Sequence, residues 1–555
     1  MRVAARADGL SAHAIAGTHV VLFGMDVPDD RVDGLMGFAI KRREHQGRKR
    51  TRYLPNFLVF KVNDEGDDTN HSSLRNPFQE FLWGDYTCFP DRDYTYTVSA
   101  MYGTPGDLKK RASVEFDVRT ESEDDGTHAI FFNRGVVASQ AYANRFDNKP
   151  PHEVGAEAYE WLSRGLFEAL DEFIGQAKNS RYALRAAVYE FTHRDTLDAL
   201  GRASDRGADV EILFDCADVA APPGKSNLTA IRSEELDELC ARRTQAKIAH
   251  NKFIVLLYDG KPKEVLTGST NFTEGGIYGH SNLGHIVRSP RVAARYLAYW
   301  KQLRADPKAA VLRDWTEQET VIPQGRPRRR SITSVFSPRR GFGALNWYAR
   351  LMDGAETSVF LTGAFGVSKE LTEIFNKEKP YLRYLLLDKR KANVLAIARN
   401  PSNRVTAGAY LGEGGWRQWL EEVTTRRLGL NNHVQYIHTK FMLIDPLGRD
   451  PIVVSGSANF SRPSTNVNDE NMLVIRGNTR VADIYLGEFM RLFTHFRFRG
   501  KTQTPDDAPA PGPGGPASTS SRRGKKYLWN DDGWARRFYV KDSPREKERQ
   551  LFRAP

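Results

Sequence analysis

Two sets of residues in this chain repeat the same chemistry at the same intervals. The first is His250-Asn251-Lys252 followed by Gly268-Ser269-Thr270-Asn271; the second is His438-Thr439-Lys440 followed by Gly456-Ser457-Ala458-Asn459. In each set Ser lies 19 positions after His and Asn lies 21 after, and the sets are offset by 188 residues throughout. A lone His-x-Lys arises by chance in a chain this long, whereas two with Gly-Ser-x-Asn at one shared spacing form a signature. An imidazole, an ammonium, a hydroxyl and a carboxamide from each set suit phosphoryl transfer. A phosphodiester is anionic, and its transition state spreads charge over the non-bridging oxygens, which two lysines and two amides can bind without a metal. One neutral histidine can attack phosphorus and form a covalent phosphohistidine. The other, protonated, can give its proton to the leaving alkoxide and then activate water. One histidine cannot easily do both jobs on opposite faces of phosphorus, which explains the need for two sets. The candidate catalytic residues are therefore His250, Lys252, Asn271, His438, Lys440 and Asn459, with Ser269 and Ser457 in support. No metal ligand and no cofactor is called for.

Elements of alternating type must position these groups. Ala249–Leu257 and Ile437–Ile444 read as strands. Residues i and i+2 of a strand share a face, so His250 and Lys252 point one way and Phe253 and Val255 the other, into the core. The same holds for His438 and Lys440 against Phe441 and Leu443. Ahead of the first set come a strand at Ala129–Phe132, a helical stretch at Val154–Ala177, a strand at Leu184–Phe191, a helix at Thr196–Ala203 and a strand at Val210–Phe214. Ahead of the second come a strand at Ile332–Phe336, a helix at Leu345–Met352, a strand at Val359–Thr362, a helix at Lys369–Asn376 and a strand at Leu382–Leu387. This recurrence predicts two similar α/β halves, each about 190 residues long.

The two sets and their flanks resemble the phospholipase D superfamily, whose signature is HxKxxxxD followed by GSxN. Ala187-Val188-Tyr189-Glu190-Phe191-Thr192, Leu197–Leu200 and Arg206–Leu213 resemble that family's strand, helix, Arg-Gly and strand run. The resemblance covers residues 128–500. It implies a metal-independent phosphohistidine mechanism and two halves packed about a pseudo-twofold axis, with His250 as nucleophile and His438 as acid. Two departures stand out. The second set has the motif's aspartate, Asp445, where the first has Leu257, with Asp259 two residues further on. By strand parity Asp445 points away from His438 and supports the fold, and Asp259-Gly260 reads as a hairpin turn. Glu470 matches a family carboxylate that orients a histidine, whereas its counterpart in the first half is Asn282. The halves are thus unequal, which suits unequal roles.

The remaining sequence sets the frame. Residues 1–125 read as a small β-sandwich, with period-two strands at His19–Gly24, Tyr94–Ala100 and Ala112–Val118; binding of a partner is its default role. The first half is expected at 126–320 and the second at 321–503. A disordered Pro/Gly linker follows at 504–524, and a tail at 525–555 whose Trp529, Trp534, Phe538 and Phe552 suggest docking onto the body. Hydrophobic residues make up 40% of the chain, enough for globular cores. The three cysteines form no CxxC pair and suggest neither a disulfide framework nor a zinc site. No apolar run is long enough to span a bilayer and the N-terminus lacks a secretory h-region, so a cytoplasmic location is expected. The net charge of +12 attracts polyanions, nucleic acid and anionic lipid alike. Arg326, Arg328, Arg329, Arg330, Arg339 and Arg340 either hold such a polyanion or form a solvated linker between the halves. Gly412–Trp416 lacks the Lys-Ser/Thr pair of a phosphate loop. His280, His285 and His433, near the motifs, read as structural. The favoured substrate is a phospholipid met at a membrane surface; a nuclease of the same superfamily is the rival. A binding or effector protein with a degenerate phosphodiesterase module is the third reading, suggested by Leu257 and Asn282.

Overall fold

Residues 1–47, 49–56, 58–64, 71–135, 142, 145–147, 149–364, 366–388, 392–408, 437–503 and 527–553 are described by the computed structural model. The expected linker at 504–524, Gly412–Trp416 and His433 lie outside them. The chain divides into two units, Met1–Ser122 with Asp483–Pro555, and Glu123–Ala482.

In the first unit, β1 (Arg2–Ala7), β2 (Leu10–Ala16), β3 (Val21–Asp26), β4 (Leu35–Glu44), β5 (Thr51–Tyr53), β6 (Leu82–Asp85), β7 (Asp93–Thr104) and β8 (Asp107–Arg119) pair antiparallel. They make two four-stranded sheets, ordered β1-β2-β3-β6 and β5-β4-β7-β8. Strict alternation in β8 buries Ala112, Val114, Phe116 and Val118 and exposes the residues between them, as a sheet with one wet face requires. These side chains share a core with Phe23, Phe38 and Tyr96. Trp534 and Phe538 are buried in the same core, and the Trp534 indole donates to the Leu35 carbonyl at 2.8 Å.

The second unit holds two seven-stranded mixed sheets. The first half contributes β9 (His128–Phe132), β10 (Tyr182–Val188), β11 (Asp209–Asp215), β12 (Cys240–Arg243), β13 (Lys252–Tyr258), β14 (Lys261–Gly268) and β15 (Leu283–Val287). The second contributes β16 (Ser331–Ser337), β17 (Ser358–Gly363), β18 (Leu382–Leu387), β19 (Asn403–Ala407), β20 (Phe441–Ile444), β21 (Ile452–Gly456) and β22 (Glu470–Arg476). Their orders, β12-β11-β10-β13-β14-β15-β9 and β19-β18-β17-β20-β21-β22-β16, correspond strand for strand. The protein is therefore α/β in its larger unit, which holds two similar halves, and its other unit is a small antiparallel β domain. Apart from Lys252 at the start of β13 and Arg383 in β18, these two strands are apolar because both faces are covered. Each half has its own core, one around Leu184, Ile212 and Ile254, the other around Leu361, Leu385 and Met442.

One predicted helix is broken. Val154–Ala177 divides into Ala156–Ser163 and Leu166–Gly175, because Arg164 and Gly165 both adopt left-handed backbone, at φ 49° and 87°. Arg164 is buried there and its Nε donates to the Phe132 carbonyl at 2.7 Å. No helix among the described residues is long and apolar enough to cross a membrane.

Candidate active site

The histidines do not lie on strands as their sequence pattern suggested. β13 begins at Lys252 and β20 at Phe441, so His250 and His438 stand ahead of them. Pairing across the halves takes the chain out of its own sheet here. Ala249 bridges in parallel to Asp469, and Ile437 bridges in parallel to Ser281. The two bridges are related by the same 188-residue offset as the motifs, so the halves exchange one contact about a pseudo-twofold axis. Carboxylates at strand ends hold both segments from behind. Asp215 accepts the Ala249 N–H at 2.6 Å, and Asp388 accepts the Ile437 N–H at 2.9 Å.

The histidine partners also cross over. His250 Nδ1 lies 2.8 Å from Oε2 of Glu470, which begins β22 of the other half. His438 Nδ1 lies 2.9 Å from Oδ1 of Asn282, just ahead of β15 of the first half. Ser457 Oγ donates to Glu470 and Ser269 Oγ to Asn282, each at 2.8 Å. The Asn282 amide nitrogen is committed to the Gly276 carbonyl at 2.8 Å, so its oxygen faces the imidazole. Both acceptors thus require Nδ1–H on their histidine and leave the lone pair of the neutral ring on Nε2. The motif glycines permit this packing. A Cβ on Gly268 would sit 2.2 Å from the Leu283 carbonyl oxygen, and one on Gly456 would sit 2.2 Å from that of Asn471.

Lys252 and Lys440 repeat one geometry, each Nζ donating to the carbonyl of its own histidine at 2.6 Å. The amides differ. Asn271 Nδ2 donates to Glu190, whereas Asn459 is half-buried. The Asn271 and Asn459 oxygens are buried without a hydrogen bond among the described residues. Tyr189 packs its ring 4.8 Å from that of His250, with Lys252 Nζ 5.1 Å from its centre.

Burial dominates the electrostatics. It lowers the His250 pKa to about 4; Glu470 pulls upward and the two lysines push down. His438 is held well below its ordinary value, by burial first and then by Lys440, Lys252, His280 and His250. Burial brings Lys252 to about 7 and holds Lys440 well below its usual value. A negative charge placed between these groups would act in the opposite direction and raise each of these values.

Other candidates fall outside this cluster. Asp445 accepts the N–H groups of Glu356, Thr357 and Ser358 and pairs with Arg326 at 2.9 Å, fixing the start of β17. Asp259 closes the β13–β14 hairpin in the same left-handed conformation as Asp445, φ 49° against 50°. Its N–H donates to the Arg181 carbonyl, as that of Asp445 donates to Ser358. β13 runs further than β20, so the turning aspartate falls two residues later and Leu257 occupies a strand position. Most of the arginine cluster is structurally engaged: Arg326 with Asp445, Arg329 with Asp450, Arg339 with the Thr316 and Thr320 carbonyls, and Arg340 with Asp314 and Glu317. His285 bonds His128 at 2.9 Å, and the His280 ring centre lies 6.1 Å from that of His438. Asp215 and Asp388 were missed in the sequence, though Leu213-Phe214-Asp215 and Leu386-Leu387-Asp388 end equivalent strands.

Residues 170–304 and 384–493 match the family model described as "Cardiolipin synthase, PLD-like domain". Solved structures with similar folds include the phosphatidylserine synthase of Haemophilus influenzae Rd KW20, at 13% identity and TM-score 0.39, over 60% of this chain and 84% of that one. The polyphosphate kinase of Porphyromonas gingivalis is similar at 13% identity and TM-score 0.37, over 56% of this chain and only 43% of that one. Nuc, a phospholipase D family member from Salmonella typhimurium, is similar at 26% identity and TM-score 0.21, over 25% of this chain and 86% of that one. No curated protein matches the chain. The two-half unit belongs to the phospholipase D superfamily, a group of phosphodiesterases and related phosphoryl-transfer enzymes.

Proposed function

We propose that this protein is a phospholipase D-type hydrolase that cleaves phosphodiester bonds through a covalent phosphohistidine, with a phospholipid as the favoured substrate. The observation that carries the reading is the crossed pair of hydrogen bonds, His250 to Glu470 and His438 to Asn282. The Glu470 carboxylate makes His250 the stronger base and nucleophile, while the neutral Asn282 amide fixes the tautomer of His438 without opposing loss of its proton. His250 Nε2 attacks phosphorus, the P–O bond to the leaving group breaks, and His438 Nε2 gives that oxygen its proton. His438 then takes a proton from water, the resulting hydroxide attacks phosphorus, and the P–N bond breaks to free His250. Lys252, Lys440, Asn271 and Asn459 hold the non-bridging oxygens throughout. Two cationic side chains supply the charge stabilisation the transition state needs, so the reaction is proposed to be independent of a metal.

The phospholipid reading follows the description of the matched family, which names a lipid-synthesising enzyme. The net charge of +12 favours the second reading, cleavage of DNA or RNA by the same chemistry. Incubation in EDTA with phospholipid vesicles, and separately with DNA and RNA, decides between them. Headgroup release by the native protein and not by His250→Ala or His438→Ala supports the lipid reading, and nicked nucleic acid supports the rival. Activity surviving in both variants, or abolished by EDTA, overturns the mechanism. A protein inert towards all three substrates supports the binding or effector reading.

A further inference from the structure

Glu190 sets a carboxylate among the groups proposed to bind the substrate phosphate. Asn271 Nδ2, one of the amides proposed to hold a non-bridging oxygen, donates to Glu190 Oε2. The Glu190 charge also acts on Lys252 and on Lys440, favouring the protonated form of each. A negative charge here opposes the binding of any anion, so a mere anion trap would not carry it.

Among the described residues the feature belongs to one half. Val188 lies opposite Lys252, and counting along β17 and β20 from the Leu361–Met442 pair puts Gly363 opposite Lys440. The place of Tyr189 in the second half therefore falls to Ala364, and the next residue in sequence, Phe365, is not acidic. Glu470 is engaged with His250 and Ser457, and Asp215 and Asp388 with backbone N–H groups behind the histidines. Among the described residues, Glu190 is the carboxylate that accepts a hydrogen bond from one of the amides proposed to bind phosphate.

Building on the phosphodiesterase reading, we propose that Glu190 is a charge filter that selects monoanionic phosphodiesters and rejects dianionic phosphomonoesters. A diester brings one negative charge to the site, and a monoester at neutral pH brings close to two. The fixed carboxylate repels both, and the dianion about twice as strongly, in a partly buried setting where one extra unit of charge is worth about tenfold in affinity. A phosphodiesterase gains from the filter, since its monoester products and free phosphate are kept from competing with substrate.

Glu190→Gln keeps an acceptor for Asn271 and removes the charge. Binding of inorganic phosphate at pH 8, where it is mostly dianionic, and of dimethyl phosphate, a monoanion, is read by calorimetry on the full chain, without turnover. Affinity for phosphate is expected to rise in the variant at least about tenfold more than affinity for dimethyl phosphate. In the unaltered protein, the affinity ratio of phosphate to dimethyl phosphate is expected to fall between pH 6 and pH 8, a readout that needs no variant. Equal changes for the two anions, or a ratio independent of pH, overturn the filter and leave the phosphodiesterase reading standing. A native protein that binds neither anion overturns both.

Discussion

Glu470 and His250 lie 220 positions apart in the chain and 2.8 Å apart in space, joining the last strand of one half to the segment ahead of β13 in the other. The Glu470 side chain is wholly buried and is shared with the Ser457 hydroxyl. A carboxylate in that position fixes the imidazole and supports positive charge on it.

Glu470→Gln keeps the shape and removes the charge. The kcat for bis-p-nitrophenyl phosphate is expected to fall by about 10²-fold or more, in the range set by loss of acid–base assistance. Asn282→Asp adds a carboxylate beside His438, raises its pKa, and moves the alkaline limb of the pH profile upward. An unchanged kcat in the first variant sinks the orienting role, provided circular dichroism shows both proteins folded.

Proton uptake on binding is the second expectation. Burial holds His438 and Lys440 well below their ordinary values and Lys252 near 7, and an added negative charge raises all three. Dimethyl phosphate binding at pH 7 should therefore take up protons, seen as a binding enthalpy that varies with the ionisation enthalpy of the buffer. An enthalpy independent of buffer contradicts this.

The motif was legible because its information is local and repeated. His250 and Lys252 are two positions apart, Ser269 and Asn271 likewise, and one offset relates both sets. The succession of strands and helices was legible for the same reason, from period-two and apolar runs such as those of β8 and β18. The partner of Glu470 was not, since nothing near Glu470 in sequence points to a histidine of the other half. Nor was the irregular backbone at His250, because the bridge from Ala249 to Asp469 that draws it from the sheet is a contact between halves. The helix break at Arg164-Gly165 had a local signal in the glycine, outweighed by the apolar periodicity on either side.

Asp445 is expected to serve the fold and not the chemistry. Asp445→Ala frees three backbone N–H groups and leaves Arg326 without this carboxylate. Stability measured by urea unfolding should fall by about 2–4 kcal/mol, with activity per folded molecule retained. Loss of activity at unchanged stability contradicts the assignment.

His193 gives a pH signature distinct from the active site. It is buried between Phe167 and Tyr278, and burial lowers its pKa from 6.5 to about 4. The unfolded chain binds its proton below pH 6.5 and the folded one only near 4, so this contribution to stability is lost as pH falls through that window. The stability of the native protein minus that of His193→Gln should therefore decline between pH 6.5 and pH 4. A difference that stays flat across the window rules the effect out.

The crossed partners carry a constraint on ancestry. Two identical copies of one half, meeting about a true twofold axis, must present the same residue to both histidines. A carboxylate against one and an amide against the other cannot occur in such a dimer. A built-in difference between the surroundings of His250 and His438 therefore requires two halves that are free to differ at Asn282 and Glu470, and a single chain carrying both provides them.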